Sequence, residues 1–165
     1  MDLLAAQLGG LLKAHGMKLA TAESCTGGGV AQAITDVAGS SAWFERGFIT
    51  YSNLSKQQML GVSEATLMQH GAVSEATVRE MVAGALQHSD AQVALAVSGI
   101  AGPDGGSPGK PVGMVWFAWG IKNGVSLTLA HRHQFAGNRA EVRAQAVRTA
   151  MQGVVDLLNQ LTATA

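Results

Sequence analysis

One cysteine in 165 residues, Cys25, rules out an internal disulfide. No charged leader followed by an apolar signal core precedes the folded pattern, so the expected compartment is the reducing cytoplasm. No stretch approaches the roughly 20 consecutive apolar residues that span a bilayer, which argues against a membrane protein. Charged residues make up only 13% of the chain, and Lys plus Arg equals Asp plus Glu at 11 each. Duplex nucleic acid and anionic membranes select a broad basic surface, and this chain has none. Aromatics at 5% leave little to stack on single-stranded nucleic acid. An anionic ligand must therefore be recognised locally. No spacing of His, Cys, Asp or Glu resembles a metal site, and no metal is expected.

What the chain has is apolar residues, at 47%, and 21 glycines. Its length suits one domain, residues 1–165, with a full core, and its composition argues against disorder. The glycines gather around residues 27–29 and 99–109 without a period, as tight loops require. Leu3, Leu4, Leu8, Leu11 and Leu12 share one helical face and Gly16 follows, which predicts a helix over residues 2–15. Residues 17–23 read as a strand, 26–37 as a helix and 47–51 as a second strand. Ser52 or Asn53 caps a helix that carries Lys56 and ends near Gly61. Residues 63–70 form a short helix, and Ser74 caps a longer one with Val78, Met81, Val82, Ala85 and Leu86 on its inner face. The apolar run 92–97 reads as a strand buried on both faces. The loop 98–109 is too rich in glycine for regular structure. Residues 112–120 and 125–135 form an antiparallel pair around a Lys122-Asn123-Gly124 turn, and 138–161 a final helix. The alternation predicts an α/β fold, a three-layer α/β/α sandwich with a mixed, mostly parallel sheet.

In such sheets ligands collect at the carboxyl ends of the strands, where this reading puts Ser24, Tyr51 and Ser98. Around Ser24 the sequence Ala22-Glu-Ser-Cys-Thr-Gly-Gly-Gly29 places a hydroxyl and unobstructed amides where a strand gives way to a helix. That arrangement is suited to a phosphate or to an oxyanion formed in acyl transfer, and equally to a plain Thr/Gly-rich helix cap. A serine hydroxyl requires a base to become a nucleophile. His15, His70 and His88 sit near helix ends, and His131 and His133 alternate along a strand, so none belongs to this cluster. Lys56, just past the Tyr51-Ser52-Asn53 strand end, would project over the same rim. It could accept a proton if burial or a cation such as Arg46 lowers its pKa, with Tyr51 relaying or orienting that proton. Lys56 could equally be an exposed helix lysine, and Tyr51 a packing residue. Cys25 competes for the nucleophile role or is a small buried filler. Asp104 could bind a ribose hydroxyl or a cation, or cap its own turn. Arg139, at the start of the last helix, could hold a phosphate through paired N–H donors, or simply face solvent.

These segments carry a resemblance. The run from Ala22 to Gly28, Gly39-Ser-Ser-Ala-Trp-Phe44, Gly47-Phe-Ile-Thr-Tyr-Ser-Asn53 with Lys56, and Gly71-Ala-Val-Ser74 belong to it. So do Ser98-Gly-Ile-Ala-Gly-Pro-Asp-Gly-Gly106 with Pro111-Val-Gly113, and Phe135-Ala-Gly-Asn-Arg139. Together, over about residues 5–160, they resemble the CinA C-terminal family, also called the PncC or nicotinamide mononucleotide deamidase family, in its stand-alone form. The resemblance implies hydrolysis of the carboxamide of nicotinamide mononucleotide to nicotinic acid mononucleotide and ammonia, in pyridine nucleotide salvage, with no cofactor. It implies Ser24 as nucleophile, Lys56 as base and Tyr51 assisting. Thr26, Gly27, Gly28, Ser98, Gly99, Gly102 and Arg139 would then serve the oxyanion and the nucleotide. A non-catalytic regulator that binds pyridine nucleotides is the alternative. The expected partner is a small nucleotide, with no nucleic acid and no membrane. Seven methionines and the aromatics Trp43 and Phe44, taken as exposed, point to a homo-oligomer.

Overall fold

The computed structural model describes residues 2–122, 124 and 126–164, apart from the side chains of Asp2, Ala163 and Thr164. Helix α1 (Asp2–His15) leads into strand β1 (Leu19–Glu23) and helix α2 (Gly29–Thr35). After a short 3-10 turn come strand β2 (Phe44–Ile49) and helices α3 (Asn53–Leu60), α4 (Glu64–His70) and α5 (Glu75–Gln87). Strands β3 (Val93–Gly99), β4 (Met114–Lys122) and β5 (Ser126–Gln134) precede helix α6 (Arg139–Thr164). Helices α3, α4 and α5 begin where a serine hydroxyl accepts an otherwise orphaned amide. Ser52, Ser63 and Ser74 take those of Ser55, Thr66 and Thr77.

The five strands lie in the order β2-β1-β3-β4-β5. Strand β1 pairs in parallel with both β2 and β3, while β3–β4 and β4–β5 are antiparallel. Four strands thus point one way and β4 alone runs against them, so the sheet is mixed as expected. The hairpin of β4 and β5 forms, but β4 runs on to Lys122, which pairs with Ser126 instead of standing in the turn, and Asn123 and Val125 lie outside the described residues. The two faces of the sheet are unlike. On one, Leu19, Val93, Leu95, Val97, Val115, Phe117 and Trp119 pack under α1, α2 and α6. On the other, Ala20, Ala22, Ala94, Ala96 and Ala118 lie under α5, which with α3 and α4 forms the third layer. Alanine on that face lets α5 lie close. A Cβ on Gly84 would fall 1.9 Å from the carbonyl oxygen of Leu60.

Three local readings are corrected. Helix α2 begins at Gly29 and not at residue 26, because Gly27 (φ 59) and Gly28 (φ 101) take left-handed conformations that a right-handed helix cannot contain. Strand β2 starts at Phe44 and ends at Ile49, so Tyr51 lies beyond it. Its register runs from Leu19 opposite Phe44 to Glu23 opposite Ile49, with an irregularity between Leu19 and Ala20. Trp43 is buried and not exposed, only 3% accessible, and a Cβ on Gly9 would fall 2.4 Å from its ring. Phe44 is half-buried, so neither aromatic supports a subunit interface.

The connections locate the site. The chain leaves β1 through α2 on one face to reach β2, then returns over the other face through α3, α4 and α5 to β3. The crevice between the carboxyl ends of β1 and β3 is therefore a switch point, where open α/β sheets bind ligands.

Candidate active site

Ser24 is the first residue past β1, and its amide donates to the carbonyl of Val97 on β3 at 3.0 Å, which pins it in that crevice. Lys56 comes from the first turns of α3, fixed by the reciprocal Ser52–Ser55 capping box. Its side chain runs inward beneath the rim and is 1% accessible. The amine Nζ lies 3.0 Å from Ser24 Oγ, 2.7 Å from the Thr50 carbonyl oxygen and 3.3 Å from that of Tyr51.

Nζ is thus surrounded by three oxygens, donating to the two carbonyls and to the serine hydroxyl. Burial pushes the lysine pKa from its ordinary 10.5 down to about 8, opposed only weakly by the nearby Cys25. Arg46, a sequence candidate for that effect, takes no part. It pairs with Glu45 at 2.7 Å.

Cys25 lines the same cleft but is 6% accessible, and burial raises its thiol to about 11, against weaker pulls from its own amide and that of Gly99. A thiol held that high stays protonated at neutral pH and is a poor nucleophile.

The cleft, about 250 Å³, is lined by Ser24, Cys25, Lys56 and Tyr51. Ser98, Gly99, Gly102 and Asp104 of the glycine loop also line it, with Ala72, Val73 and Arg139. Arg139, the first residue of α6, donates to the Gly102 carbonyl at 2.9 Å and to the Tyr51 hydroxyl at 3.2 Å, bridging the glycine loop and the segment after β2. The hydroxyl of Tyr51 thus meets Arg139, and its carbonyl meets Lys56.

Thr26, Gly27 and Gly28 do not line the cleft, and several amides of the turn into α2 already have acceptors. The carboxylate of Glu23 already accepts from the amides of Val30 and Ala31, at 2.9 and 3.1 Å, and from the Thr26 hydroxyl at 2.6 Å. The amide of Gly27 donates to the Ser24 carbonyl and that of Gly29 to the Thr26 carbonyl. Arg143 completes the turn by donating to the carbonyls of Cys25 and Thr26, at 3.1 and 3.2 Å.

Glu23 and Arg143 are the two residues the sequence reading missed. Arg143 had a signal, since it lies four positions after Arg139 on one helical face. The signal for Glu23 was weaker, a carboxylate two residues before the first candidate amides. No histidine lines the cleft. His131 and His133 lie on β5 near Trp119, Phe117 and Phe135. Among the described residues no group of His, Cys, Asp or Glu could hold a metal ion, and no helix is long and apolar enough to cross a membrane.

A three-layer α/β/α sandwich with a buried serine–lysine contact at its switch point defines the class. The family model for the CinA C-terminal domain matches residues 1–158, and the chain belongs to that family. It is 59% identical over 149 residues to the nicotinamide-nucleotide amidohydrolase PncC of Escherichia coli strain K12, covering 90% of this chain and 89% of that protein. It is 54% identical over 154 residues to the Pseudomonas putida protein of the same name, covering 93% and 94%. Among solved structures, the competence/damage inducible protein CihA from Agrobacterium tumefaciens superposes with a TM-score of 0.91 at 45% identity, over 96% of this chain and 94% of that one.

Proposed function

We propose that this chain, acting as one domain, hydrolyses the carboxamide of a nicotinamide nucleotide, nicotinamide mononucleotide first, to the nicotinic acid nucleotide and ammonia. The names and high identity of its relatives supply the substrate. The observation that carries the chemistry is the 3.0 Å contact between Ser24 Oγ and the buried amine of Lys56.

In this reading neutral Lys56 takes the hydroxyl proton as Ser24 Oγ bonds to the carboxamide carbon. Backbone N–H groups of the loop 98–102, other than those of Gly99 and Ile100, which face the Cys25 thiol and the Met114 carbonyl, receive the oxyanion, each good donor contributing about 3 kcal/mol. The C–N bond then breaks, and the amine nitrogen leaves as ammonia with the proton from Lys56. Water, deprotonated by the same lysine, attacks the acyl-serine and returns the proton to Ser24. The cationic pyridinium makes the carbonyl more electrophilic. The N–H donors of Arg139 not engaged with Gly102 and Tyr51 face the phosphate, so the guanidinium binds substrate and braces the mouth of the cleft.

A non-catalytic nucleotide sensor would have no use for a lysine buried to 1% against a serine hydroxyl. The assembly we propose is a homo-oligomer. The exposed Leu3, Ile49, Leu54 and Met68, rather than Trp43, are among the side chains available to it.

Ammonia release from nicotinamide mononucleotide is the test. Wild type releases it, and Lys56→Met loses about a thousandfold in kcat, within the range general bases contribute. Saturable nucleotide binding with no ammonia formed would favour the sensor.

A further inference from the structure

Glu23 is a buried carboxylate that the reaction as written does not use. It is 1% accessible, and among the described residues no Lys or Arg pairs with it. Its two oxygens face three donors, the Thr26 hydroxyl, the Val30 amide and the Ala31 amide. These donors follow the nucleophile, so the carboxylate clasps the turn that carries Ser24. The backbone of Glu23 reaches the other partner. Its carbonyl accepts from the Thr50 amide at 2.8 Å and the Thr50 hydroxyl at 3.4 Å, and the Thr50 carbonyl in turn accepts from Lys56 Nζ at 2.7 Å. One residue is thus tied to both halves of the serine–lysine pair.

We infer that Glu23 is a positioning residue. Its carboxylate, accepting from Thr26, Val30 and Ala31, holds the turn of residues 24–28 so that Ser24 Oγ stays in line with the lysine amine. This rests on the proposed reaction. The carboxylate is chemically necessary because every group facing it is a donor. An amide of the same shape must turn an N–H toward another N–H or O–H, so one partner is left unpaired in a buried place. The arrangement gives the glycine turn, which lacks side-chain packing of its own, a fixed anchor.

The test compares wild type with Glu23→Gln and, as a second handle, Thr26→Val, which deletes one donor and keeps the shape. Turnover is measured with nicotinamide mononucleotide and with p-nitrophenyl acetate, whose acyl group reports on the serine without nucleotide recognition. Displacement of a reacting group by about 1 Å costs roughly 100-fold, so Glu23→Gln is expected to lower kcat by about that factor on both substrates. KM for the nucleotide is expected to stay within about twofold, because ground-state binding is untouched. The pH-rate limb of Lys56 should keep its position, since the backbone link through Thr50 survives the substitution. Thr26→Val should lose kcat in the same direction by a smaller factor.

A folded Glu23→Gln with wild-type kcat overturns the inference, as does a KM that rises in step with the fall in kcat. Should Glu23→Gln fail to fold, wild-type kcat in Thr26→Val overturns it and a selective loss of kcat supports it. A wild type that turns over neither substrate defeats the proposed reaction and this inference together, whereas an active wild type with an equally active Glu23→Gln defeats the inference alone.

Discussion

Lys56 carries the sharpest consequences at the scale of single residues. Its amine must be neutral to accept the Ser24 proton, and burial sets its pKa at about 8. The account therefore expects kcat/KM to rise about tenfold per pH unit on the acid side and to level off above about 8. A profile flat from pH 6 to 9 would contradict it. Stability follows the same group with a definite sign. Between about 8 and the ordinary 10.5 the unfolded chain holds this proton and the folded chain does not, so folding gains stability as pH rises through that window. Cys25, raised to about 11, acts oppositely above 9. The difference in melting temperature between wild type and Lys56→Met across pH 8 to 9 isolates the lysine. Thr21 supplies a second residue-level expectation. Its buried hydroxyl has no hydrogen-bond partner, so Thr21→Val should leave stability unchanged or raise it by up to about 1 kcal/mol in urea unfolding. Ser24, Lys56, Tyr51, Ser98 and Arg139 could be picked from the sequence because nucleophile, base and glycine loop each have a residue type that announces them. Glu23 could not, because a carboxylate at a strand end looks the same whether it faces water or closes a helix.

At the scale of elements the helix starts were legible because hydroxyl caps are local. Ser52, Ser63 and Ser74 each act through an amide three residues on. The bounds of β2 were not legible, since the register that starts it at Phe44 depends on pairing with Leu19, far away in sequence. The late start of α2 reflects Gly27 and Gly28, whose positive φ values shape a turn, where sequence spacing alone read a helix. The close approach of α5 gives a prediction at this scale. Gly84→Ala puts a methyl group 1.9 Å from the Leu60 carbonyl oxygen, backbone that cannot yield without moving α3 from α5. The expected cost is about 3 kcal/mol or more, read as a lower urea midpoint at unchanged slope. A loss under about 0.5 kcal/mol would mean that the two helices are not held so tightly.

For the whole molecule, the three layers share one sheet, so residues 2–164 should unfold as a unit. Far-ultraviolet circular dichroism reports the helices of both outer layers. Tryptophan fluorescence reports Trp43 and Trp119 on one face and Trp116 on the other. Coincident transitions support a single cooperative domain, and separated ones would divide it. Light scattering at a multiple of the chain mass would support the homo-oligomer. The layered architecture was legible from the alternation of elements. The meeting of Ser24 with Lys56, 32 residues apart, was legible only as an expectation, because it depends on both strand ends reaching one rim. That meeting is the centre of the account, and the most direct measurement is ammonia release from nicotinamide mononucleotide by Ser24→Ala beside Cys25→Ala. Loss of at least about 10⁴-fold in the serine variant, with turnover retained in the cysteine variant, is the predicted result. Retained turnover in Ser24→Ala would contradict it.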